Sequence, residues 1–116
     1  MGGDYLGEVS DLYSYDGSGQ WTKRAAMPTA RKNLGASASL DGRIFAIGGE
    51  QSGQFETDAL DVVEAYNPST NSWATMSPLP AARTQVVAVT GKDGRIYAIC
   101  GSDGTNCASD VYAYWS

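Results

Sequence analysis

The chain has 116 residues, 42% of them hydrophobic and 18% charged, which suits a single domain. Its net charge of −5 excludes nucleic-acid binding through bulk charge. The absence of histidine removes the usual general base, the commonest nitrogen ligand for zinc or copper, and every Ser-His-Asp or Cys-His arrangement. No apolar run approaches membrane-spanning length and no charged-then-apolar leader follows Met1, so neither a membrane segment nor a signal peptide is expected, with a cytoplasmic location slightly favoured.

In chain order the elements read as short strands. A first strand ends at Tyr15, Asp16-Gly17-Ser18-Gly19 makes a tight turn, and a second strand follows from Trp21. Leu34–Leu40 and Arg43–Ile47 read as a hairpin across Asp41-Gly42, closed by the pair Gly48-Gly49. A long connection, Glu50–Leu60, leads to a strand at Val62–Tyr66, and Asn67-Pro68-Ser69-Thr70-Asn71 turns the chain into Ser72–Met76. Pro78 and Pro80 end that strand. Val86–Thr90, Asp93-Gly94 and Arg95–Ile99 repeat the hairpin, and Ser102–Ser109 connects it to a last strand that contains Tyr114. Nine strands are expected and no helix, because no segment keeps a helical period.

The chain also repeats itself. Pro28–Gly49 and Pro80–Gly101 align without a gap at an offset of 52, with eleven of 22 positions identical. Trp21 and Trp73 keep the same offset, Tyr15 matches Tyr66 and Tyr114, and Gly2-Gly3 matches Gly48-Gly49 and Cys100-Gly101. A diglycine ending an apolar strand, then a tyrosine, a tryptophan and a Pro-x-x-Arg before the next strand resemble the kelch motif over nearly the whole chain. Cys100, in place of a first glycine, is a departure from it.

The resemblance implies an all-β chain of β-propeller blades, each of four antiparallel strands a to d with a innermost. Residues 1–27 would supply strands c and d of a partial blade, 28–80 a complete blade, and 81–116 strands a, b and c of another. Such a ring is incomplete within one chain. The chain is then a segment of a longer propeller or a subunit completed by copies of itself, a trimer of six blade equivalents being favoured over a dimer of four.

Several side chains invite a structural role. Trp21 and Trp73 are expected to pack between blades. The glycine pairs suit positive φ or a close backbone approach, and a phosphate-cradling loop would need a following helix that is not expected. Cys100 and Cys107 could bridge a loop or stay unpaired.

Strand parity puts the d-to-a and b-to-c connections on one face and the tight turns on the other. Arg31, Lys32 and Arg83 are expected near the central channel, with Glu50 further out, as candidates for binding a small polar or anionic ligand. Arg31 and Arg83 could instead bond loop carbonyls. Gln54, Glu56, Asp58 and Asp103 are candidates for contacting a protein partner. The resemblance implies a noncatalytic interaction module, with no cofactor or metal. The alternative is a segment of a propeller enzyme acting on a sugar, of the sugar-acid mutarotase or sugar oxidase type, in which Arg31 and Arg83 hold the substrate and Glu50 is the acid or base.

Overall fold

A computed structural model describes residues 10–15, 17–52, 57–99, 101–102 and 111–115. Eleven strands and no helix are present among them: β1 (Leu12–Tyr15), β2 (Trp21–Arg24), β3 (Gly35–Ala38), β4 (Ile44–Ile47), β5 (Glu50–Ser52), β6 (Thr57–Ala59), β7 (Val63–Asn67), β8 (Ser72–Thr75), β9 (Val87–Thr90), β10 (Arg95–Ile99) and β11 (Val111–Trp115). All pairings are antiparallel. The central sheet has the order β3-β4-β7-β8, which is one full blade, flanked by the pair β1-β2 and by the sheet β9-β10-β11. The ring is not closed within the chain.

The expected nine strands become eleven because the connection after β4 folds into a two-stranded arm, β5-β6. Cys100 and Cys107 lie outside the described residues, so neither reading of them meets the structure.

Burial follows from what lies against each sheet. The middle strands of the full blade have neighbours on both faces, and Phe45, Ala46, Ile47, Val63, Ala65 and Tyr66 are all buried, with no alternation. β9 alternates instead: Ala88 is half-buried against the full blade, while Val87 and Val89 are exposed. The same composition thus reads as core or as surface according to whether a blade is stacked on it.

Each seam between sheets has its own polar fastening. In the first, both backbone polar groups of Ala25 are held. Its N–H donates to Asn71 Oδ1 at 2.9 Å, and its carbonyl accepts from Trp73 Nε1 at 2.8 Å. Trp73 lies opposite Tyr66 in the β7-β8 register, with ring centroids 5.3 Å apart. In the second seam β3 and β9 run close together, with Ser37 and Thr90 hydroxyls 2.6 Å apart and Gln85 N–H donating to Asn33 O at 2.8 Å. Trp21 departs from expectation. It is 67% exposed, because among the described residues no blade lies against the face of β1-β2 that it shares with Tyr13 and Tyr15.

The two hairpin turns on the opposite face are built alike. Gly42 and Gly94 have φ of 93° and 86°, conformations that a Cβ disfavours. Asp41 accepts from the Ser39 hydroxyl and the Arg43 N–H, and Asp93 accepts from the Arg95 N–H and the Tyr97 hydroxyl. Hydrogen bonds to the ionised form hold both carboxyls below the usual carboxylate range, led by Ser39 for Asp41 and by the Arg95 backbone for Asp93.

Two measurements test these contacts. A carboxylate whose folded pKa is depressed contributes stability that is fully present above its unfolded value, about 3.9, and lost as pH falls through the folded value. Carboxyl NMR titration is therefore expected to place the midpoints of Asp41 and Asp93 below about 3.9, and a midpoint above it contradicts the turn description. Trp73→Phe keeps a ring beside Tyr66 but removes the bond to Ala25. It should lower unfolding stability by about 1 kcal/mol, read as a shift in denaturant midpoint at constant m-value.

Candidate functional site

The d-to-a and b-to-c connections meet on one face, and backbone bridges hold them together. Lys32 and Glu50 exchange N–H to O bonds of 3.1 and 2.9 Å. Gly49 donates to Arg83 O at 2.9 Å, Arg83 to Leu60 O at 2.9 Å, and Thr84 and Ser102 exchange a further pair of bonds. These contacts explain the diglycine. A Cβ on Gly48 would stand 2.5 Å from the Arg83 carbonyl oxygen and one on Gly49 2.7 Å from that of Lys32, and both residues have positive φ. Only a residue without a side chain lets two strand lead-ins come this close to the end of β4.

Arg31 and Lys32 are adjacent in extended backbone, so their side chains take opposite directions. Arg31 turns inward and is completely buried. Its Nη1 donates to Gly48 O and Val62 O, both at 2.9 Å, and its Nη2 to Ala46 O at 3.2 Å and to Glu64 Oε1 at 3.0 Å. Glu64 is buried as well, and its second oxygen accepts from the Thr29 hydroxyl at 2.7 Å. Desolvation pushes the Arg31 pKa down and the Glu64 charge pushes it back up.

Lys32 turns outward. Its ammonium lies 3.9 Å from Glu50 Oε2, and Glu50 Oε1 accepts from the Thr84 hydroxyl at 2.5 Å. Glu50 therefore lies beside Lys32 and is 8% exposed, where a position further out was expected. The backbone bridge sets the two residues directly opposite each other. Arg83 is half-buried with Nη1 on the Ala82 carbonyl at 2.8 Å. Of the site candidates, Lys32, Glu50 and Arg83 share one face, together with Thr84, while Arg31 is inside the blade. Gln54, Glu56 and Asp103 lie outside the described residues, and Asp58 is placed in β6 by its backbone.

Sequence reasoning missed Glu64 and Thr84. Glu64 has no copy in the repeat, since Tyr112 stands at the matching register position, opposite Ala98 as Glu64 is opposite Ala46. Its one signal is a charge inside an apolar strand. A cavity lies elsewhere, in the second seam. It measures about 160 Å³ and is lined by Phe45, Ile47, Ser77 and Tyr114 among others.

Residues 32–80 match the family model described as the Kelch motif. The chain is 35% identical to beta-scruin of Limulus polyphemus over 71% of its own length and 8% of that protein. It is 30% identical to Kelch-like ECH-associated protein 1B of Danio rerio over 90% of this chain and 18% of the relative. The Influenza virus NS1A-binding protein of Homo sapiens is 35% identical over 67% of this chain and 11% of its own length. The chain thus spans less than a fifth of the curated relatives it matches. Among solved structures, that of YjhT superposes with a TM-score of 0.71 at 29% identity, covering 82% of this chain and 29% of that one. A fungal alcohol oxidase in complex with copper gives 0.70 at 24% identity over 93% of this chain and 25% of that one, a likeness of fold alone.

The buried pair has a measurable consequence. Arg31→Met leaves Glu64 charged, buried and without its cation, and is expected to cost about 3 to 5 kcal/mol of unfolding free energy. Arg31→Met combined with Glu64→Leu should cost less than the sum of the two single changes in a double-mutant cycle. Additive losses would contradict a direct coupling.

Proposed function

The chain belongs to the kelch-repeat family, and we propose that it is a noncatalytic binding module that takes a protein partner on the face of the b-to-c and d-to-a connections. The observation that carries this reading is the arm β5-β6. Its two roots are fastened by backbone to the lead-ins of two successive blades, at Lys32–Glu50 and at Leu60–Arg83. A connection held this firmly at its base presents its outer residues from a fixed platform, which is what a recognition loop needs. The sequence puts Gln54, Glu56 and Asp58 in this connection and Asp103 in the next one. An acidic face of this kind suits a basic segment of a partner, attracted by charge before it docks.

The relatives support a binding role. One is named for association with ECH and another for binding NS1A, which are statements about those proteins. The enzyme alternative asks Arg31 to hold an anion, but Arg31 is fully buried and bonded to three carbonyls and a carboxylate. It also asks Glu50 to act as acid or base, and both Glu50 oxygens already face Thr84 or Lys32. In this reading residues 28–80 are a complete blade between the partial blades 1–27 and 81–116. Assembly completes the ring, with three copies favoured over two.

The test places a photo-crosslinking residue at Gln54 and, in a second protein, at Ser18 on the opposite face. A partner captured from Gln54 alone, and lost when Glu56, Asp58 and Asp103 are all changed to Lys, is the expected outcome. The fold should be unchanged, with each of these substitutions staying within about 0.5 kcal/mol. Equal capture from both positions, or capture indifferent to charge reversal, sinks the proposal. Saturable binding of glucuronate with no protein captured would favour the enzyme reading.

A further inference from the structure

Among the described residues two apolar surfaces lack a neighbour, and the repeat relates one to the other. In the first seam the indole of Trp73 on β8 reaches the Ala25 carbonyl and lies against Tyr66. The offset of 52 carries Ala25 to Ser77. Strand register carries Tyr66 to Tyr114, since the first lies opposite Ile44 and the second opposite Ile96. Ser77 and Tyr114 both line the cavity of about 160 Å³ in the second seam, and Tyr114 packs there on Phe45 with centroids 5.5 Å apart. The cavity is therefore the third seat for an indole in a series whose second seat is filled. Among the described residues β11 is an edge strand, so the indole would arrive on a strand paired to β11 as β8 is paired to β7.

The chain displays one strand of the required kind. β2 is the counterpart of β8 in the preceding repeat. Trp21 lies opposite Tyr15 in register with ring centroids 5.0 Å apart, as Trp73 does with Tyr66, yet it is mostly exposed. We infer that β2 of a second copy adds to the edge of β11 and seats its Trp21 in this cavity, with the indole N–H donating to the Ser77 carbonyl. This rests on the assembly part of the functional reading above and names the contact that performs it. β11 takes the place of the incoming copy's β1, so one antiparallel ladder is exchanged for another, while an exposed indole gains a buried seat. The contact joins two different surfaces, so repetition of it adds further copies in one direction and closes when the rotation allows.

Sedimentation velocity on the full chain from about 1 to 200 µM tests this with two variants on opposite sides of the contact. Trp21→Ala removes the indole from an exposed site, and Ala113→Arg fills the cavity from its exposed rim. The wild-type chain should sediment as a multiple of 12.2 kDa, and each variant alone as one chain with an unchanged far-ultraviolet spectrum. An equimolar mixture of the two should form a two-chain species, because the first keeps the cavity and the second keeps the indole. A wild-type chain that stays single at every concentration overturns the inference, as does association that survives Trp21→Ala or a mixture that stays unpaired. Capture at Gln54 uses a different face and should be the same for Trp21→Ala, which separates failure here from failure of the binding-module reading.

Discussion

The arrangement of this molecule depends on the buried guanidinium of Arg31. Strand b ends and strand c begins beside carbonyls that must be hydrogen-bonded, because a blade with neighbours on both faces has little water to offer them. Arg31 supplies donors to Ala46, Gly48 and Val62 together, from the lead-in to strand a. One side chain thus ties three strands of a blade at a single end. Desolvating a cation costs free energy, and the planar fork and the Glu64 carboxylate offset it through short, directed bonds. With Arg31 facing inward, Lys32 must face outward. The exposed layout of the candidate site follows from the internal one.

The blades join by a division of labour between polar and apolar contacts. Apolar side chains fill the space between sheets, while a few directed bonds set the alignment: Asn71 and Trp73 on the N–H and the carbonyl of Ala25, Thr90 against Ser37, Gln85 on Asn33. Apolar packing has no direction of its own, so flat sheets stacked by it alone could slide. The bonds remove that freedom. They also explain why a blade without its neighbour looks unfinished, with Trp21, Val87 and Val89 carrying surface that the full blade keeps covered.

Much of this was legible in the sequence, and what was missed has physical reasons. The hairpins, their Asp-Gly turns and the offset of 52 are local, and they were expected within a residue or two of β3-β4 and β9-β10. The arm β5-β6 was not expected. Glu50-Gln51-Ser52 and Thr57-Asp58-Ala59 show no apolar alternation, and what pairs them is the fastening of their outer ends to Lys32 and Arg83, contacts between residues distant in the chain. Trp21 and Trp73 look equivalent in the sequence, and the difference in their exposure comes from neighbours rather than from either residue. Arg31 and Arg83 share a motif position, yet the carboxylate that accompanies Arg31 has no copy beside Arg83, so comparing repeats hides Glu64 instead of revealing it.

The same backbone bridge occurs twice on the candidate face, between Lys32 and Glu50 and between Thr84 and Ser102. Its hydrogen bonds belong to the main chain, so the bridge itself does not call for one particular pair of side chains. In the first copy the pair is a cation and a carboxylate, in the second two hydroxyl groups. A scaffold whose alignment is set by backbone bridges and buried carbonyl contacts leaves the chemistry of its outward side chains unconstrained by folding. Residues that face outward at these bridges, rather than the motif arginine beneath them, are therefore where a module of this construction can acquire a binding preference without loss of stability.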